Sequence, residues 1–212
     1  MDNKNLLLVE GKSDMIVIRE LCKQIGLEVN FDVKHENSIT ELKKALPVYL
    51  KSTNSRQKIW VIIDADRNFE GAWQSIKNIL IKTNKYNIDG RMDLPKEGII
   101  IHPKDKYDII VGVWIMPNNE DIGMLEDFLM HLIPNEDELR KKVVSIVMNI
   151  DENRNAYEGV FKNVHKSKAE VYTWLALHDT PGESLSVAIQ KKMFKTNIEL
   201  CHNFKIWLNQ LN

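Results

Sequence analysis

Leu6-Leu7-Leu8-Val9-Glu10-Gly11 and Trp60-Val61-Ile62-Ile63-Asp64-Ala65-Asp66 are two apolar runs that each stop at carboxylates. Neither run has the 3.6-residue rhythm of an amphipathic helix. Both suit strands covered on both faces, as in parallel α/β sheets. Ligands of such sheets collect in the crevice outside the carboxyl ends of the strands. Glu10, Asp64 and Asp66 are therefore expected to converge although they are distant in sequence. Carboxylates held together repel one another, and a divalent cation is the usual remedy.

The rest of the chain alternates in the same way. Ser13 is the expected N-cap of a helix carrying Ile16, Ile18, Leu21, Cys22 and Ile25, with Gly26 just past its end. Residues 28–34 alternate polar and apolar, as a half-exposed strand does. Ser38, with Glu41 three residues later, announces a second helix with Leu42, Leu46 and Leu50 inward and Pro47 as a kink or restart. Residues 52–58 read as a loop and 59–64 as a strand. Residues 69–81 read as a helix burying Trp73, Ile76, Ile79 and Leu80. After a polar connection, 98–102 and 109–116 read as strands joined by a hairpin-like turn. Helices then dominate: one from Met124 to Pro134, one over 136–149 burying Leu139, Val143, Ile146 and Val147, and others over 166–177, 184–194 and 200–211. The expected fold is α/β, a Rossmann-type, mainly parallel sheet flanked by helices. A core over 1–133 carries a helical C-terminal extension over 134–212, packed on it in one compact domain.

Bulk properties narrow the function classes. The chain has 212 residues, 43% hydrophobic and 28% charged, enough for a sizeable core and unlike a disordered segment. No apolar run approaches the roughly 20 residues that span a bilayer, so no membrane partner is expected. The opening Met1-Asp2-Asn3-Lys4-Asn5 lacks a signal-peptide layout, and Cys22 and Cys201 read as buried free thiols. A cytoplasmic location is the expectation. A formal net charge of −1 weighs against a protein that lives by non-specific duplex binding, which would be basic. Oligomeric state is not legible.

The chemistry rests on spacing. Asp64 and Asp66 are two apart, which puts both side chains on one face of an extended backbone. Such pairs hold Mg²⁺ or Mn²⁺ while leaving water positions for phosphate oxygens. Gly11 allows close backbone approach, and Lys12 offers a cation beside the carboxylates. Together, Val9-Glu10-Gly11-Lys12-Ser13-Asp14 and Ile63-Asp64-Ala65-Asp66 resemble the two signature motifs of the Toprim domain, the metal-binding module shared by topoisomerases, bacterial primases and certain nucleases. The resemblance covers about the first 130 residues. The whole layout, including Gly-Met-Leu-Glu-Asp at 123–127, is similar to short Toprim-related proteins without an assigned activity.

The resemblance implies Glu10 as metal ligand or general acid/base, Asp64 and Asp66 as Mg²⁺ (or Mn²⁺) ligands, and Gly11 as the motif glycine; Lys12, the cation beside it, is placed with Gly11 on the cofactor side. Arg67-Asn68 follows the aspartates where many Toprim domains have small residues. Glu126, with Asp127 beside it, is a third candidate for the metal shell, although acidic residues also favour a first helical turn for its dipole alone. Lys168 is the candidate for the catalytic lysine that Toprim nucleases often place after the aspartates. His102, His131, His165 and His178 are scattered singly, and Trp174 and Trp207 read as core.

The expected function is Mg²⁺-dependent action on phosphodiester bonds of nucleic acid, most simply a nuclease on DNA or RNA. The alternative is a non-catalytic Toprim-fold binding or regulatory module. Reading Asp64-Ala65-Asp66 as a nucleotide-sugar transferase motif leaves Glu10-Gly11 without a role.

Overall fold

The computed structural model describes residues 5–51 and 57–212. Among them, five strands form one sheet in the order β2-β1-β3-β5-β4. The strands are β1 (Leu6–Val9), β2 (Asp32–His35), β3 (Lys58–Asp64), β4 (Ile99–Ile101) and β5 (Ile110–Met116). The pairings β1–β2, β1–β3 and β3–β5 are parallel, and only the edge strand β4 runs antiparallel, to β5. The α/β architecture expected from the apolar runs is the one observed.

Alternation along each strand splits the core in two. Leu7, Val9, Trp60, Ile62, Trp114 and Met116 face one side of the sheet, whereas Leu6, Leu8, Ile59, Val61, Ile63 and Val113 face the other. The second side is covered by α2 (Ile39–Lys51) and α3 (Phe69–Thr83), through Leu42, Leu46 and Leu50 on one and Trp73, Ile76 and Leu80 on the other. The first side is covered by α1 (Lys12–Gln24), α4 (Leu125–His131), α5 (Glu138–Glu152), α6 (Lys166–Ala176), α7 (Leu185–Gln190) and α8 (Glu199–Asn209). Side chains of α5 to α8, among them Val143, Trp174, Ile189 and Trp207, share one buried cluster with β1, β3 and β5.

Several local expectations are corrected. Ser13 lies inside α1; the N-cap is Gly11, whose N–H donates to Asp14 Oδ2 at 2.7 Å. Only 32–35 of the alternating stretch 28–34 and its neighbour pairs with β1, because pairing, not alternation, makes a strand. Pro47 neither stops nor restarts α2 and sits within it. Ile16 and Ile146, placed inward by rhythm, are 39% and 50% exposed, with Val17 inside α1 instead. Ser38 and Ser184 do cap: each hydroxyl accepts an N–H three residues on, from Glu41 and Val187. Gly26 does follow α1, at φ +63°. The expected loop at 52–58 falls, over 52–56, outside the described residues, and Lys58 already belongs to β3. Both cysteines are buried free thiols. Among the described residues, no helix is long and apolar enough to cross a membrane.

Candidate functional site

The parallel sheet brings the two acidic strand ends side by side. Glu10 leaves β1 next to the end of β3, and its Oε1 accepts the backbone N–H of Asp64 at 2.9 Å. Asp64 Oδ1 in turn accepts the N–H of Leu125, the first residue of α4, at 3.1 Å. One strand end, the next strand end and a helix start are thereby tied through two carboxylates. Asp64 carboxylate at the N-terminus of α4 is also where the helix dipole favours a negative charge.

Beyond Asp64 the chain turns sharply. Asp66 adopts φ +50°, in the left-handed region that Asp tolerates better than most residues. It forms an isolated antiparallel bridge with Gly123: Asp66 N–H donates to Gly123 O at 2.7 Å, and Gly123 N–H returns to Asp66 O at 2.8 Å. The bridge pins the loop after β5 onto the acidic turn. Gly123 is required there, with φ +139° and a position where an added Cβ would lie 2.7 Å from Asp127 Oδ2. The Asp66 side chain is exposed, at the mouth of the site.

Electrostatics follow from this packing. Burial raises the Glu10 pKa from 4.5 to about 7, with the Asp66 and Asp14 charges adding and the Asp64 N–H and Lys43 opposing. Burial likewise holds Asp64 well above the usual carboxylate range, helped by the charges of Glu10, Asp14, Glu126 and Asp66. Asp14 and Glu126 are raised by burial against the pull of Lys168. Five acidic side chains thus feel one another, and the cation that makes an ion pair with one of them is Lys168, whose Nζ lies 3.7 Å from Glu126 Oε1.

Glu10, Asp64, Asp66, Glu126 and Lys168 are therefore neighbours in space. Gly11 is present as the cap of α1, whereas Lys12 is exposed on the first turn and, among the described residues, makes no ion pair with the carboxylates. Asp127 is committed elsewhere: Oδ2 accepts the Met124 N–H at 2.8 Å and Oδ1 accepts the Ser167 hydroxyl. It starts α4 and tethers α6, which agrees with the helix-start reading of its position. Glu120 pairs with Lys96 and Asp121 accepts from Asn118, so the loop acids point to other tasks.

The motif reading missed Asp14 as a member of the cluster and His35, at the end of β2, whose charge acts on Asp14. The signal for Asp14 was its place three residues after Gly11, on the inner turn of α1. His35 had none, since its proximity comes from the β1–β2 register that pairs it with Val9.

A small niche of about 10 Å³ lies between Glu10, Asp14, Asp64 and Leu125, at the lower limit for one water-sized sphere. The donors around it are hard carboxylate oxygens, the chemistry that suits Mg²⁺ or Mn²⁺. Among the described residues, no three acidic, cysteine or histidine side chains stand as a ready-made ligand shell. The donor set fits such an ion in kind, and side-chain rotation would have to complete the shell.

Comparison with curated proteins and with solved structures gives no match. Residues 4–212 match the model of a family described as "Protein of unknown function (DUF3226)", and with nearly its whole length matched the chain belongs to that family.

Proposed function

We propose that this protein is a Toprim-like, Mg²⁺- or Mn²⁺-dependent enzyme acting on phosphodiester bonds of nucleic acid in the cytoplasm, in its simplest form a nuclease. One observation carries the reading: five mutually repelling acidic side chains are gathered around the carboxyl ends of β1 and β3, most of them partly buried, with Lys168 paired to Glu126 and Lys43 acting on Glu10 from α2. Desolvated like charges are costly to a fold and are the arrangement expected where chemistry requires them.

Asp64, Asp66 and Glu126 would hold the cation, which supplies Lewis acidity at the phosphoryl oxygens and a more acidic water. Glu10, held above the usual carboxylate range by burial and fixed by the Asp64 N–H, is the group placed to take the proton from the attacking water. The water oxygen bonds to phosphorus with its proton passing to Glu10, the bond to the leaving oxygen breaks, and that oxygen takes a proton from solvent water as it leaves. Lys168 faces the charge that builds on the phosphoryl oxygens.

The test is Asp64→Asn with Asp66→Asn, which keeps an acceptor for the Leu125 N–H. Mg²⁺-dependent cleavage of labelled single- and double-stranded oligonucleotides should fall to background. Equal residual cleavage in the double variant would assign the activity to a contaminant. The second reading, a binding or regulatory module without turnover, is favoured by the formal net charge of −1, which supplies no basic surface for tight nucleic-acid binding. It predicts no cleavage and no rise in melting temperature with Mg²⁺, Mn²⁺ or Ca²⁺, whereas a bound cation stabilises by mass action.

A further inference from the structure

An open cleft of about 660 Å³ is lined in part by Asp64 and Asp66. Its walls come from three separate parts of the chain. Lys43 projects from α2, Arg67 from the turn after β3, and Lys162 from the segment before α6. The N-terminus of α3 opens into the same space through Asn68, Gly71 and Ala72.

Three features of these cations stand out. None of the three makes an ion pair among the described residues, whereas Lys168 pairs with Glu126 and Lys166 with Asp151. They converge on a concave surface in a chain whose formal net charge is −1, so the positive charge is local and not a sign of a basic protein. Finally, the cleft shares Asp64 and Asp66 with the carboxylate cluster, and Lys43 lies within electrostatic range of Glu10. Unpaired cations around a concavity, with a helix N-terminus aimed into it, are complementary to phosphate groups.

We infer that the cleft lined by Lys43, Arg67 and Lys162 binds the sugar-phosphate backbone of a single strand of nucleic acid, seating the phosphates that flank the one held at Asp64 and Asp66. The inference rests on the nucleic-acid reading above but not on turnover. Three cations match a few phosphates of one strand, whereas a duplex would need a basic stripe that the overall charge does not supply. The remaining wall, with Ile39, Ile63 and Val164, is apolar and suits sugar and base faces, not a chain of charges.

The experiment separates binding from chemistry. A fluorescein-labelled single-stranded oligonucleotide is titrated with the Asp64→Asn/Asp66→Asn protein in EDTA, where neither metal nor cleavage contributes. Adding Lys43→Ala, Arg67→Ala and Lys162→Ala should weaken binding at least about tenfold at low salt. It should also flatten the slope of log K against log salt by about 2, for three lost contacts on a single strand. Lys82→Ala, exposed on the last turn of α3, is the control and should change affinity less than about twofold. Melting curves confirm that each variant is folded. Absent binding by the parent, or a triple variant no weaker than the control, overturns the inference. Tighter binding of the matching duplex overturns the single-strand assignment. Cleavage without this binding difference sinks the cleft alone, and binding without cleavage by the native protein sinks the nuclease reading alone.

Discussion

Glu10 keeps its hydrogen bond from the Asp64 N–H whether or not it carries a charge, since Oε1 accepts in both states. What changes with pH is the cost of ionising it in place. Its pKa is about 7 in the folded chain against 4.5 as the ordinary value. A raised carboxyl pKa gives stability that is complete below about 4.5 and is lost as pH rises to about 7, because the folded state binds the proton more tightly. Glu10→Gln retains the acceptor and removes the charge. The variant should match the native protein at pH 4.5 and exceed it by about 1–3 kcal/mol at pH 8.5, a figure reduced from the full shift because the side chain is only partly buried. Denaturant melts at the two pH values read this directly; a variant equally or less stable at pH 8.5 would mean that Glu10 is not strained in its ionised form. At the same scale, Asp14 and Asp127 show why acidic residues near helix starts divide into two kinds. Asp127 spends both oxygens on the Met124 N–H and the Ser167 hydroxyl, whereas Asp14 caps with one oxygen and leaves its charge in the cluster.

The turn after β3 and the start of α4 act as one unit, joined by the Asp66–Gly123 bridge and by the Leu125 N–H on Asp64. Gly123→Ala should strain that unit twice, through φ +139° and through the clash of its Cβ with the Asp127 carboxylate. The expected loss is about 1–3 kcal/mol, a fall of several degrees in melting temperature for a chain of this size. Gly90→Ala, where a Cβ meets nothing within 4 Å, should stay within about 0.5 kcal/mol of the native protein. Calorimetry of the two variants checks the contrast, and equal melting would show that the bridge is slack. The elements themselves were legible to different degrees. Leu6 to Val9 and Ile59 to Asp64 announced β1 and β3 because central parallel strands must be apolar on both faces. Ser38 and Ser184 announced helix starts because a hydroxyl one residue before a helix has a definite donor to meet. Gly11 did not, since its capping partner Asp14 lies three residues inside the helix and acts in reverse. Pro47 was ambiguous because its missing N–H costs α2 one bond, to the Lys43 carbonyl, which leaves the rest of the helix intact. Of the site, Glu10, Asp64, Asp66 and Glu126 could be read from strand ends and a helix start. His35, Lys43 and Lys162 could not, because only the sheet order and the return of the C-terminal segment bring them near.

At the scale of the molecule, α8 closes the first face of the sheet with aromatic side chains. Trp207 lies 5.5 Å from Trp114 and 6.2 Å from Trp60, ring centre to ring centre, and its carbonyl accepts the Trp60 indole N–H at 3.1 Å. Its own indole N–H donates to Ile99 O on the edge strand at 3.3 Å. Phe204 links the group to Phe128 on α4, the helix whose first turn meets Asp64. The C-terminal helix and the candidate site are thus held through one packed aromatic group. Trp207→Ala should cost about 3–5 kcal/mol and lower the melting temperature by roughly 10 °C or more, with far-ultraviolet circular dichroism and fluorescence still changing together. Separate transitions by the two probes would show that residues beyond α4 unfold as an independent unit. Glycine makes room for the Trp60 ring on the neighbouring strand: a Cβ on Gly112 in β5, the partner of Trp60, would stand 2.5 Å from it. Three indoles fixed at such separations couple electronically, so the native chain carries its own optical signature. The trio's share of the near-ultraviolet circular dichroism, isolated by difference against Trp207→Phe, will report the seating of α8 in solution without any label.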